Sequence, residues 1–280
     1  MRKLTTLIDG LSLPEGPRWH DGRLFFSDMH AHKVMAVDLA GRIETICEVP
    51  AWPSGLGWLP DGRMLVVSMT DRRLLRLDRD GLKVAADLSE LASFHCNDMV
   101  VDAKGRAYVG NFGFDLYAQA TPKLAEIVMV EPNGSARVVA GELGFPNGSV
   151  IAPDGRTLIV GESTRGRLTA FDIAADGSLS NRRVWAEIAP AVPDGIALDA
   201  ESAIWAASPL TDEVIRVQEG GKVTERIKTA NHAYACMLGG PDRRTLFVLT
   251  AADSDPGKCR SKPTGRIETT PVDVAGAGFP

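Results

Sequence analysis

Four of six residues placed 39 to 50 positions apart along the chain carry a carboxylate or amide oxygen: Glu15, Asn97, Asn147 and Asp194, with Ser54 and Ala235 completing the series. Each stands where a short apolar strand opens. Glu15, Asn147 and Asp194 together offer two carboxylates and one amide oxygen, and Asn97 offers a second amide. Hard oxygen donors of mixed charge suit Ca²⁺, Mg²⁺ or Mn²⁺, with water completing the shell. Two carboxylates would offset a divalent charge, which makes their burial together tolerable. The same residue types also cap strands and bond turns, so spacing alone leaves both readings open. Ser54 and Ala235 bring no strong ligand, and that leaves one side of an ion accessible, as a catalytic metal requires.

The elements that must position these residues are legible in the same repeat. Pro14-Glu15-Gly16, Pro53-Ser54-Gly55, Pro146-Asn147-Gly148 and Pro193-Asp194-Gly195 are copies of one step, and Cys96-Asn97-Asp98 is a looser one. Six or seven residues after four of the opening positions comes a tight turn: Asp21-Gly22, Asp61-Gly62, Lys104-Gly105 and Asp154-Gly155. A β-rich stretch follows each, as at Met64 to Ser68, which reads as a hairpin. A period of this length fits four short strands with their turns, the content of a propeller blade. The expected fold is all-β, a six-bladed β-propeller forming a single domain over residues 1–280. Closing such a ring calls for a strand from the N-terminus, Leu4 to Leu11, paired with one from Gly265 towards Val274 in the last blade. Asp253 to Thr264 reads as a mobile loop interrupting that blade, and Gln119 to Pro122 as an insertion in the third.

Composition narrows the function. The 31 basic and 36 acidic residues give a net charge of −5 without runs of either sign, so the basic stripe that nucleic acid wants is missing. No stretch is long and apolar enough to span a bilayer, and the first residues lack the apolar core of a signal peptide. A cytoplasmic location with no membrane and no protein partner is the expectation. Cys47, Cys96, Cys236 and Cys259 have no zinc-like spacing and read as reduced thiols, with Cys96 the one placed for reactivity. Ser54 stands at an axis position, yet no partner His can be assigned to it as a nucleophile. No Gly-rich phosphate loop is present. His30 and His32 fall in a loop of the first blade that reads as solvated.

These residues carry a resemblance. Glu15-Gly16-Pro17-Arg18-Trp19, the Asn97-Asp98 pair, Pro146-Asn147-Gly148, Pro193-Asp194-Gly195 and the run Cys236-Met237-Leu238-Gly239-Gly240-Pro241-Asp242, in this order and phase, are similar to the senescence marker protein, gluconolactonase and regucalcin family of six-bladed propellers. The resemblance extends over essentially the whole chain. It implies one divalent cation held by Glu15, Asn147 and Asp194, with Asn97 completing the site or touching substrate. Ca²⁺ is the favoured ion, and Zn²⁺, Mn²⁺, Mg²⁺ or Fe²⁺ are alternatives. The implied activity is hydrolysis of a small lactone, the metal polarising the carbonyl. Asp194 is then the candidate general base, and a hydroxide on the metal is its rival.

The chain departs from the sugar-lactone members of that family at two places. His95 stands two residues before Asn97, where those enzymes resemble one another in having an Arg. Gly110-Asn111-Phe112-Gly113-Phe114-Asp115 replaces a loop that tends to be acidic. His95, Phe112 and Phe114 are therefore candidate substrate contacts, and the change favours a less hydroxylated lactone. An organophosphate or ester hydrolase using the same metal, and a non-catalytic calcium-binding propeller, are the competing readings.

Overall fold

The computed structural model describes residues 2–278. Six four-stranded antiparallel sheets follow one another along the chain, and the molecule is a six-bladed β-propeller. The innermost strands are Pro14–His20, Pro53–Trp58, Cys96–Val101, Pro146–Ile151, Ile196–Leu198 and His232–Gly239. Each touches the innermost strand of the next blade, and His232–Gly239 touches Pro14–His20, so the ring closes. Inner strands read as continuous buried runs because both of their faces meet other blades. Met64–Ser68, the second strand of its blade, is buried throughout, whereas the outermost strand of the first blade, Ile43–Glu48, is half or fully exposed.

Closure follows the expected route. The first strand, Thr5–Leu11, pairs antiparallel with Gly265–Pro271 and forms the outer edge of the last blade. Leu11 is buried, and Leu4, Leu7 and Ile8 pack on the same core as Phe247 and Ile267. Where this strand ends, the backbone N–H groups of Ser12 and Leu13 donate to Asp28 Oδ1 at 3.0 and 2.9 Å, tying the last blade to the first. The four predicted hairpin glycines, Gly22, Gly62, Gly105 and Gly155, all have positive φ, which glycine adopts at no steric cost.

Two expectations about loops need correction. Asp253 to Thr264 contains a short helix, Pro256–Ser261, whose first turn is capped by the Asp255 side chain accepting from Lys258 N–H at 2.9 Å. Cys259 on that helix is buried in the apolar cluster at the mouth of the ring. His30, expected in a solvated loop, is 1 % exposed. Its Nε2 lies 3.0 Å from the carbonyl of Ser254, and burial pushes its pKa down to about 4. A polar residue enters the interior here because a segment distant in sequence supplies its hydrogen bond. No helix among the described residues is long and apolar enough to cross a membrane.

Candidate active site at the axis

The Pro-X-Gly step works by combining a bulge with a close approach. In four blades the pairing of the innermost strand with its neighbour slips at this step, between Glu15 and Arg18, Pro53 and Leu56, Cys96 and Met99, and Pro146 and Ser149. A bulge of this kind re-aims side chains, and here it turns the middle residue of the step towards the axis. The glycine that follows lets adjacent inner strands come into contact. A Cβ at Gly148 would lie 2.5 Å from the Asp194 carbonyl oxygen, and one at Gly55 would lie 2.4 Å from Met99 N. Backbone hydrogen bonds then cross between blades, from Gly148 N–H to Asp194 O (3.1 Å) and from Gly195 N–H to Tyr234 O (2.8 Å). Serines reinforce the seams: Ser27 Oγ donates to Ser54 O and Ser163 Oγ to Pro193 O, at 2.6 and 2.7 Å.

Glu15, Asn97, Asn147 and Asp194 are thereby brought together around one cavity of about 720 Å³ at the end of the axis. Glu15 and Asp194 are half-exposed to it, while protein encloses them on the other sides. Removal from bulk water raises the pKa of both, and Asp194 raises that of Glu15 further. Asp98 acts in the same direction on each. Opposing this are Gly16 N–H, which donates to Glu15 Oε2 at 3.1 Å, and Asn147, which hydrogen-bonds Asp194. Among the described residues neither acid has a lysine or arginine in ion-pair contact. Arg18 crosses from the first blade to the third and is committed to Asp98, which it meets at 2.8 Å, and to the carbonyls of Pro17 and Met99. Neither Arg18 nor Asp98 lines the cavity.

The donor set fits a divalent cation on two observations. Two carboxylates converge without a counter-ion, a costly arrangement that a cation offsets. Asn147 Nδ2 donates to Ser163 Oγ at 3.2 Å, which leaves its Oδ1 for a cation. The donors are oxygens of two carboxylates and an amide; no group of three His, Cys, Asp or Glu side chains gathers among the described residues, so the amide is needed to complete the set. That composition favours Ca²⁺ over thiol- or imidazole-seeking metals. Asn97 stands apart from this set: its Oδ1 accepts from Ser54 Oγ at 3.4 Å and its Nδ2 is buried with no partner, a donor suited to a substrate oxygen rather than to a cation.

A testable consequence concerns pH. Folded-state carboxyl pKa values above the unfolded value of about 4 mean that the folded chain keeps protons the unfolded chain has released. The contribution of Glu15 and Asp194 to stability is thus fully present below about pH 4 and is lost as pH rises through the folded values. A cation competes with those protons and removes that loss. The rise in melting temperature on replacing chelator with Ca²⁺ should be larger at pH 8 than at pH 5.5. A gain equal at the two pH values would show that the ion binds elsewhere.

Above the oxygens the walls are apolar. Phe112 and Phe114 line the cavity, as does Phe145, against which they stand edge to face at centroid distances of 4.6 and 5.9 Å. His95 lies outside the lining, half-buried between Phe94 (4.2 Å) and Phe112 (6.1 Å), with Nδ1 unpaired. It bears on the cavity through Phe112. Phe145 and Trp52 both precede a proline of the Pro-X-Gly step and both have positive φ, 58° and 65°. For an aromatic residue this is an outlier that the surrounding packing must hold in place, at about 1–3 kcal/mol.

Two lining tyrosines extend the set of candidates. Tyr117, from the segment between Asn111 and Ala125, reaches across to Trp52 at 5.6 Å and His30 at 6.2 Å. Burial and then the nearby Glu15 carboxylate push its phenol up. Tyr234 is likewise pushed up by burial, and Ser254 hydrogen-bonds it. Both phenols stay protonated and can donate into the cavity. Tyr234 was open to discovery by phase, since it immediately precedes Ala235. Tyr117 lies in an insertion that has no counterpart in the other blades, so the repeat carries no sign of it. Cys96, by contrast, is fully buried, and its thiol is pushed up to about 12 by that burial. It is not a nucleophile.

A closed six-bladed propeller with carboxylates and amides gathered at one end of its axis defines a class of protein with a single axial site. The chain belongs to the SMP-30/gluconolactonase/LRE-like family, whose sequence pattern matches residues 13–252. Regucalcin of Danio rerio is 25 % identical over 252 residues, covering 85 % of this chain and 82 % of its own. Pentonolactonase XacC of Haloferax volcanii is 25 % identical over 285 residues, covering 99 % and 93 %. The solved structure of a calcium-binding protein, regucalcin, from Agrobacterium tumefaciens superimposes with a TM-score of 0.83 over 100 % of this chain and 97 % of that one, at 23 % identity. That last likeness establishes the fold.

Proposed function

We propose that the protein is a cation-supported lactonase that opens the ring of a small lactone at the axial site. The observation that carries this reading is the convergence of Glu15 and Asp194, without a counter-ion, on the floor of an open cavity with apolar walls. Likeness to a pentonolactonase supports the lactone, and likeness to a calcium-binding regucalcin supports the divalent ion. Glu15, Asn147 and Asp194 would hold the cation, with Asn97 beside them. When bound, such an ion polarises a carbonyl oxygen and stabilises the negative charge that builds on it.

The side chains supply the remaining chemistry. Asp194 takes the proton of a water as the water oxygen bonds to the lactone carbonyl carbon. The bond between that carbon and the ring oxygen then breaks, and the ring oxygen leaves with the proton, giving a hydroxy acid. Asn97 contacts the substrate near the carbonyl. Phe112 and Phe114 hold its ring, with His95 setting the position of Phe112. Tyr117 and Tyr234 donate hydrogen bonds from above.

Proton release on adding lactones measures the activity directly. Hydrolysis should fall at least about 100-fold after chelation and return when Ca²⁺ is added back, the size expected when an electrostatic partner of the carbonyl oxygen is removed. Hydrolysis unchanged by full chelation would defeat the cation's role.

A further inference from the structure

The cavity is polar at its floor, and its walls are mainly apolar, with Ser163, Thr164, His232, Asp253 and Ser254 the polar exceptions. Phe112, Phe114 and Phe145 form a continuous wall of edge-to-face rings, and Tyr117 stands over it. The rim continues the apolar surface: Leu116 from the third blade and Leu210 from the fifth both line the cavity and are 38 % and 76 % exposed. A lone exposed leucine carries no information, but two at the mouth of one cavity extend its apolar wall into solvent. No lysine or arginine lines the cavity, while Glu15, Asp194 and Asp253 do.

We propose that this cavity selects a neutral lactone with an apolar face, an aryl-fused or alkyl-substituted ring, over polyhydroxylated or anionic sugar lactones; the inference rests on the lactonase reading above. A carbonyl directed at Glu15, Asn147 and Asp194 places the rest of the ring against Phe112, Phe114 and Phe145. An aromatic or alkyl substituent there exchanges water for ring edges and faces. Hydroxyls in the same place lose their water and meet phenyl rings that return no hydrogen bond. A phosphate, sulfonate or carboxylate on the part of the ring away from the floor finds no lysine or arginine and meets Asp253. The volume of about 720 Å³ is ample for a bicyclic ring. Each methylene added to the buried face should raise kcat/KM about fourfold until the wall is filled.

The test compares kcat/KM for dihydrocoumarin, γ-nonalactone, glucono-δ-lactone and 6-phosphogluconolactone by proton release, each corrected for spontaneous opening. Dihydrocoumarin and γ-nonalactone should exceed glucono-δ-lactone at least about tenfold, with the phosphorylated lactone last. Phe114→Ala should lower the ratio of dihydrocoumarin to glucono-δ-lactone about tenfold. Leu210→Ser, on the exposed rim and free of folding consequences, should lower it in the same direction by a smaller factor. Glucono-δ-lactone turned over as well as or better than the apolar pair overturns this inference and leaves the lactonase reading intact. Ratios unmoved by either substitution also overturn it. Hydrolysis of none of the four overturns the lactonase reading itself, and this inference with it.

Discussion

Asp194→Asn should reduce kcat/KM at least about 10³-fold while making the metal-free protein harder to melt. Both halves follow from the position of one carboxylate. Asp194 is the group placed to take a proton from water, and loss of a positioned base costs about 10²–10⁴-fold. It is also one of two acids offered to the cation, so the amide weakens ion binding as well. Without the ion, however, the acid is a liability: enclosed by protein, close to Glu15 and Asp98, with a raised pKa. The isosteric amide removes that repulsion and keeps the neighbouring backbone bond from Gly148 N–H. Stabilisation gained where activity is lost is the expected signature of a strained functional site. Steady-state kinetics and thermal melting in chelator at pH 8 check the two halves. A variant retaining more than a tenth of the activity would remove Asp194 from the chemistry.

Deleting the residues before Ser12 should unfold the ring as a whole. The strand Thr5–Leu11 is the outer edge of the last blade, and its pairing with Gly265–Pro271 joins the two ends of the chain. Its loss uncovers a run of unpaired backbone groups on Gly265–Pro271 and exposes the core beneath Leu4, Leu7, Ile8 and Leu11. Burying such side chains contributes about 1.5–3 kcal/mol each when complete. Partial burial of three of the four still puts the loss on the order of 5 kcal/mol, a large share of the ~5–15 kcal/mol that holds a native protein together. The hydrogen bonds from Ser12 and Leu13 to Asp28 lose their anchor as well. The shortened chain should lose its cooperative melting transition and bind a hydrophobic dye. A transition within a few degrees of the intact protein would show that the blades hold without this strand.

The architecture was legible because the Pro-X-Gly step recurs in phase at four of the six inner strands, with Cys96-Asn97-Asp98 a looser fifth copy. Proline opens the strand, glycine admits the neighbouring strand, and the residue between faces the axis, so type and spacing recur together. Glu15, Asn97, Asn147 and Asp194 were accessible on that basis, even though Asp194 lies two residues before its strand, Ile196–Leu198, begins. What the repeat does not encode is contact between segments far apart in sequence. His30 looks like a loop residue until Ser254, from the segment that ends in the helix Pro256–Ser261, supplies its hydrogen bond. Tyr117 belongs to an insertion, and only packing against Trp52 and His30 brings it over the cavity. Phe145 and Trp52 adopt a backbone conformation that the following proline disfavours, so local preference argued against the places they occupy. His95 was marked by standing two residues before Asn97, a spacing that puts both on one face of a regular strand, yet it precedes the strand Cys96–Val101 and the pairing slips between Cys96 and Met99. Its ring packs behind the wall that Phe112 presents.

The axial oxygens are best tested by calorimetric titration of Ca²⁺ into chelator-treated protein at pH 8. One ion should bind per chain with release of protons to the buffer, and Glu15→Gln and Asp194→Asn should each weaken binding at least about tenfold. Absence of binding, or binding that both substitutions leave unchanged, would contradict the assignment of Glu15, Asn147 and Asp194 as a cation site.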